Sequence, residues 1–141
     1  MELTTFSMVL RFMLELEDQT AQFYHNFAGK FDQTKELFSK FAQNSERRRK
    51  DLERTARESV DHSLLEPVSG ISEETYKLGI DVPHDASMGD VIAAARQLEK
   101  QMQVFYENAG DKIKFISNVS RLYKRYAQDR AKALVSLGEI A

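Results

Sequence analysis

The sequence predicts an all-α protein, a bundle of four helices that forms a single domain over residues 1–141. Three observations favour this fold class. The 141 residues include only 6 Gly and 2 Pro, so few positions interrupt a helix. Apolar residues recur at intervals of three and four along four long segments. The first two segments resemble the last two in sequence, which predicts two similar helical hairpins packed into one body.

The internal repeat has two parts. The segment LEDQTAQFYHN at residues 16–26 matches LEKQMQVFYEN at residues 98–108 in six of eleven positions, at an offset of 82. The segment LFSKFAQNSERRRKDL at residues 37–52 matches LYKRYAQDRAKALVSL at residues 122–137, at an offset of 85. Each segment has the length of a helix. The repeat therefore predicts that each half of the chain contains one pair of helices.

The first hairpin is predicted from its cap signals. Its first helix covers residues 4–28, and Gly29 ends that helix as a C-terminal cap. Asp32 is expected to cap the second helix, over residues 33–59. Because the connection is short, we expect the two helices to be antiparallel neighbours.

A long connection over residues 60–87 separates the hairpins, and it contains both prolines. We expect it to cross the length of the bundle, with one helical turn at residues 72–76. The third helix is predicted over residues 88–109, ending at Gly110. Asp111 is the expected cap of a fourth helix, over residues 112–137.

Composition excludes several classes of function. The chain has no cysteine, which removes disulfides, iron–sulfur clusters, Cys-ligated zinc and thiolate catalysis, and which suits a reducing compartment. A net charge of −2 gives no long-range field that would recruit nucleic acid or an acidic membrane. No signal peptide or long apolar run is evident. We therefore expect a cytoplasmic protein without nucleic-acid or membrane partners.

Four charged residues interrupt the apolar stripes of the predicted helices. Glu17 lies on the stripe of the first helix, and Glu99 occupies the matching position of the third. Arg48 and Arg130 lie on the stripes of the second and fourth. We expect all four side chains to point toward the middle of the bundle. The alternatives are that the glutamates reach solvent at the stripe edge, and that Arg48 belongs to a solvated run of alternating charge at residues 46–54.

The duplicated LExxxxxFY pattern that begins at Leu16 and at Leu98 is the basis of a family resemblance. A four-helix bundle with this pattern on its first and third helices resembles the ferritin-like superfamily, and within it the rubrerythrin-like branch, over all four helices. The resemblance implies that Glu17 and Glu99 join a Glu-x-x-His motif on each of the other two helices to hold a di-iron centre. Carboxylate and imidazole ligands suit iron, and their i, i+3 spacing places both on one helix face.

The sequence departs from the family pattern at the other four ligand positions. The second helix has Ser45 and Arg48 in place of Glu and His, and the fourth has Arg130 and Ala133. We therefore predict that the di-iron centre has been lost and that no cofactor is bound. Two guanidinium groups would replace two metal cations and pair with the buried carboxylates, which would otherwise be uncompensated.

The aromatic and histidine residues are interpreted structurally. Tyr24 and Tyr106 are expected to be core aromatics, next to the former metal site, with their hydroxyls bonded to polar groups there. The three histidines, His25, His62 and His84, form no ligand set by their spacing and are expected at the surface.

This pattern predicts a non-catalytic interaction or scaffold protein, a homodimer through a helical face with a further, unidentified protein partner. Phe12, Phe38 and Tyr123 lie off the strict stripes, and they either contribute to a partner surface or widen the core.

Two other classes of function remain open. One is a rubrerythrin-like peroxidase or ferroxidase that binds iron through Glu17 and Glu99, with Glu46 or Asp129 as nonstandard ligands. Rubrerythrins proper also carry a Cys-rich iron module for electron delivery, which this chain lacks, so a partner would have to supply electrons. The other is a small-molecule binder that uses a polar pocket at the vacated metal site. The number of ligands favours the metal-free interpretation.

Overall fold

The computed structural model describes residues 1–58 and 67–140, and this part of the chain is all-helical, as the sequence predicts. Its helices form a bundle, and none of them has the length and hydropathy to cross a bilayer. The helices are Phe6–Ala28 (α1), Lys35–Glu58 (α2), Glu73–Tyr76 (α3), Met88–Lys112 (α4) and Ser117–Ile140 (α5).

Two helical hairpins dominate the packing. Helix α1 lies along α2, α4 lies along α5, and α1 also contacts α4. The backbone N–H of Gly29 donates to the carbonyl of Phe27 and caps α1, as predicted. At the start of α4 the Ser87 hydroxyl accepts from the N–H of Asp90 at 3.2 Å, which is the capping contact that the Ser-x-x-Asp signal predicts.

The predicted start of the second helix is wrong. Helix α2 begins at Lys35, two residues later than expected, and Asp32 lies in the preceding turn. The residue that leads into the helix is the buried Thr34, whose carbonyl accepts from the N–H of Phe38 at 2.8 Å. The predicted end of this helix at Ser59 and the first part of the crossover, which includes His62, lie outside the described residues.

The predicted boundary between the last two helices is also wrong. Helix α4 continues through Gly110, and Asp111 lies in its last turn, where it pairs with Lys124 instead of capping the next helix. An added Cβ at Gly110 would lie 3.0 Å from the side chain of Lys124 in α5. Helix α5 begins at Ser117 and extends to Ile140, three residues beyond the predicted end.

The described part of the crossover, residues 67–87, packs against both hairpins. Its helical turn α3 forms where the sequence predicts it. The N–H of Leu3 donates to the carbonyl of Ile71 at 2.9 Å, which joins the crossover to the segment before α1. On the other side, the ring of Tyr76 lies 4.9 Å from that of Phe105 in α4.

Three residues that the sequence offers as a partner surface are instead part of the core. Phe12, Phe38 and Tyr123 are all buried, so the interpretation as a partner surface is wrong and the alternative, a wider core, is confirmed. Phe12 packs edge-on against Phe105 across α1 and α4, with the ring centroids 5.5 Å apart. Because these helices contact more than one neighbour, the buried arc of each is wider than a single stripe.

Candidate functional site

The four charged residues on the apolar stripes are buried at the centre of the bundle. The exposed fractions are 0% for Glu17, 5% for Arg48, 1% for Glu99 and 1% for Arg130. Helices α1 and α4 each contribute one carboxylate, while α2 and α5 each contribute one guanidinium group. The alternatives in which the glutamates or Arg48 reach solvent are therefore wrong. We refer to these four residues as the Glu–Arg network.

Arg48 pairs with the carboxylate of its own hairpin. Its Nε lies 3.0 Å from Glu17 Oε2 and 3.2 Å from Oε1, so one N–H is shared between the two oxygens. Its Nη2 donates to the buried hydroxyl of Ser45 at 3.2 Å. Ser45 therefore holds the guanidinium group in place.

Arg130 connects the two hairpins. Its Nη1 lies 3.0 Å and 3.1 Å from the two carboxylate oxygens of Glu99, and its Nη2 donates to Glu17 Oε1. In the repeat, Arg130 is equivalent to Ser45, whereas Arg48 is equivalent to the buried Ala133. The two arginines thus occupy positions that are not equivalent in the repeat, and only Arg130 reaches both carboxylates.

Attraction to the two carboxylates keeps the Arg130 side chain charged. Burial by itself lowers the pKa of this guanidinium group, but the negative charges of Glu17 and Glu99 outweigh that effect and raise its pKa above the ordinary value. Two carboxylates face two guanidinium groups, so the network has no net charge. This balance allows four ionic groups to be buried together.

The two repeat-equivalent tyrosines differ. The Tyr24 hydroxyl donates to Glu99 Oε1 at 2.7 Å, as the sequence predicts. The Tyr106 hydroxyl is buried and has no hydrogen-bond partner within residues 1–58 and 67–140, so the predicted bond is not found there. Burial raises the pKa of both phenols, and the nearby charge of Glu99 (for Tyr24) or Glu17 (for Tyr106) raises it further. Both therefore stay protonated.

One contact of the network region was not predicted from the sequence. The Tyr126 hydroxyl donates to Asp51 at 3.1 Å, and the guanidinium carbon of Arg48 lies 6.0 Å from the centre of the Tyr126 ring. Asp51 belongs to the run of alternating charge that suggests a solvated face. The feature of the sequence that could have indicated this contact is the position of Asp51 three residues after Arg48, which places the two residues on one side of the helix.

The residues present do not fit a di-iron centre. Arginine N–H groups occupy the oxygens of Glu17 and Glu99, and the other four positions where the resemblance implies ligands offer neither carboxylate nor imidazole. Glu46, a candidate ligand, is exposed and pairs with the exposed His25 at 2.5 Å, so its assignment as an iron ligand is wrong. Its helical position is about 100° away from that of Ser45. Across the described ranges, no group of three or more His, Asp or Glu side chains could hold a metal ion.

The remaining candidate residues lie away from the centre of the network. Asp129 is half-buried and lines a cleft of about 170 Å³ between α2 and α5, which reaches Arg48, Glu99 and Arg130. His84 is exposed, as expected, and lies 2.5 Å from the ammonium group of Lys30.

The chemistry of the Glu–Arg network is that of hydrogen bonding and charge compensation among four helices. Its carboxylates accept from arginine and tyrosine, and its cations are held between them. Comparisons with protein-family models, with curated proteins and with solved structures find no match for this chain.

Proposed function

We propose that this chain is a ferritin-like bundle of the rubrerythrin-like type in which the Glu–Arg network has replaced the di-iron centre. It then works as a non-catalytic interaction or scaffold protein. The observation that carries the proposal is the position of Arg130, which donates to Glu17 and to Glu99 at once. In this interpretation two guanidinium groups supply the positive charge that two metal ions supply elsewhere in the family.

The positions of the other network residues support the same proposal. Glu17 and Glu99 stand where the family pattern has its ligands on the first and third helices. Ser45 and Ala133 stand at ligand positions of the second and fourth, and both are small and buried. Small side chains at these positions leave space for the arginine head groups.

Metal analysis tests the proposal directly. Protein purified without chelators should contain no stoichiometric iron by mass spectrometry, and anaerobic ferrous titration followed by peroxide should give no spectral change. Uptake of two irons per chain would overturn the proposal, because the carboxylates would then have to exchange their arginine partners for metal. The rubrerythrin-like peroxidase or ferroxidase would become the better account.

A second experiment tests the alignment with the family by restoring its motif. The restored variant combines Ser45→Glu, Arg48→His, Arg130→Glu and Ala133→His. We expect it to bind about two ferrous ions per chain, since six carboxylate and imidazole ligands then face one another.

The matched control is Arg49→His, which makes a Glu-x-x-His run that begins at the exposed Glu46. This control should bind no iron tightly, because its ligands lie outside the bundle. If the restored variant folds, as judged by circular dichroism, yet takes up no more iron than the control, the alignment of α2 and α5 with the family is wrong.

The proposal includes a homodimer in the cytoplasm. The resemblance supports self-association through a helical face, and the absence of cysteine supports the compartment. Val104 and Val135 are 40% and 64% exposed and lie in α4 and α5, so these helices are the first place to test. Light scattering should give twice the chain mass at micromolar concentration, and Val135→Lys should reduce it. A mass of one chain at high concentration would refute the dimer. The search for the unidentified protein partner would then use the monomer.

A further inference from the structure

The cleft between α2 and α5 connects the surface to the Glu–Arg network. It has a volume of about 170 Å³. Arg48, Arg130 and Glu99 form its inner part, while exposed cations line its rim. The rim cations are Lys40, Arg47 and Lys132. Helical spacing explains this grouping, because residues three, four and seven apart share one face of each helix.

Arg48 keeps an unused hydrogen-bond donor next to the cleft. The bonds that Arg48 makes to Glu17 and Ser45 use Nε and Nη2, which leaves Nη1 without a partner among the residues described. The Nε of Arg130 also has no partner in this part of the chain, but it is fully buried and does not open into the cleft. An acceptor that enters the cleft would therefore complete the hydrogen bonding of Arg48.

The rim of the cleft has an excess of positive charge. Lys40 and Lys132 form no ion pair within the described ranges, and Arg47 donates only to the side chain of Asn44, at 3.2 Å. The carboxylate on the rim is Asp129, so three cations face one acid. The second acidic residue of the lining, Glu99, is already bound by Arg130 and Tyr24. The unbalanced charge corresponds to that of a dianion.

We infer that this cleft is a binding site for a phosphate group, with Arg48 donating from its inner end and the rim cations surrounding its open side. Guanidinium groups match the geometry of phosphate oxygens and hold their charge at all physiological pH values. The volume is below the range of roughly 300 to 1,000 Å³ typical of sites for drug-sized ligands, so a group of a few heavy atoms fits and a nucleotide does not. The inference is independent of whether the network replaced a metal centre.

Isothermal titration calorimetry on the full chain tests the site with inorganic phosphate, against sodium chloride and sodium acetate at matched ionic strength. We expect saturable binding of one phosphate per chain and no saturable binding of chloride or acetate. A parallel titration with glycerol phosphate identifies the source of the group. Tighter binding of the ester assigns the site to a phosphorylated small molecule, and tighter binding of the inorganic ion assigns it to free phosphate.

Variants on the rim avoid any change to the buried network. Lys40→Gln combined with Lys132→Gln should weaken phosphate binding roughly fivefold, as expected for two screened surface charges. The matched control combines Arg11→Gln and Lys114→Gln, which removes two exposed cations outside the cleft and should leave the affinity unchanged. An equal loss in both double variants, or phosphate binding no stronger than that of acetate, would overturn the inference.

Discussion

Removing Arg130 should destabilise the protein more than any other single change in the Glu–Arg network. The Arg130→Ala variant loses two bonds to Glu99 and the contact with Glu17, and it leaves Glu99 with only the Tyr24 hydroxyl. Removal of one partner of a buried ion pair typically costs about 3 to 5 kcal/mol, and Arg130 is too deeply buried for solvent to reduce this. For a domain of this size, each kcal/mol lowers the melting temperature by about 3 °C. We therefore expect a decrease of roughly 9 to 15 °C.

Arg48→Ala is the matched comparison, because it leaves Glu17 paired with Arg130 and no carboxylate without a cation. Its cost should be about half as large, roughly 2 kcal/mol. Thermal and urea unfolding followed by circular dichroism measure both variants. Equal losses in the two variants, or a loss below about 1 kcal/mol for Arg130→Ala, would refute the bridging role.

Three further predictions concern the buried aromatic residues. Tyr24→Phe removes the bond to Glu99 and should cost about 2 kcal/mol in urea unfolding. Tyr106→Phe should be close to neutral, because its hydroxyl has no partner among the described residues. Similar losses in the two variants would contradict this difference between the two tyrosines. Since burial raises the pKa of both phenols, the folded state retains their protons, so their contribution to stability should be constant below about pH 10 and be lost above it. The tyrosinate absorbance of Tyr24 and Tyr106 should then appear together with the loss of helix, not before it. Phe38→Ala should cost about 3 to 5 kcal/mol and the half-buried Leu37→Ala clearly less, which reverses the order that the strict stripe predicts.

The positions of the helices and of the network could be predicted from the sequence because both depend on periodicity. Spacing by three and four identifies the inward face of a helix from the chain alone, and the repeat identifies Glu17 and Glu99 as equivalent. The helix ends could not be predicted equally well. Gly110 has the position of a stop signal in the sequence, yet α4 continues through it to Lys112.

The hydrogen-bond partners within the Glu–Arg network could not be predicted from the sequence either. Periodicity indicates that Arg130 points inward, yet which carboxylate it reaches depends on the distance and rotation between α1 and α5. The same limit applies to Phe38, whose burial depends on the neighbours of α2 and not on its own stripe. Local spacing defines a direction for each side chain, and the partner in that direction is set by the packing of helices that are distant in the sequence.

The bridge from Arg130 to both carboxylates has a consequence for how the two halves of this chain can diverge. Two separate copies of one hairpin, related by a two-fold axis, must place every residue and its copy in the same surroundings. Here one chain carries both halves, and that constraint no longer applies. Arg130 binds two glutamates while its repeat equivalent, Ser45, accepts from Arg48, and Tyr24 has a partner that Tyr106 lacks among the described residues. When both halves belong to one chain, residues at equivalent positions can therefore take different roles. Arg130 joins the two halves, and the residue at the equivalent position of the other half does not have to be an arginine.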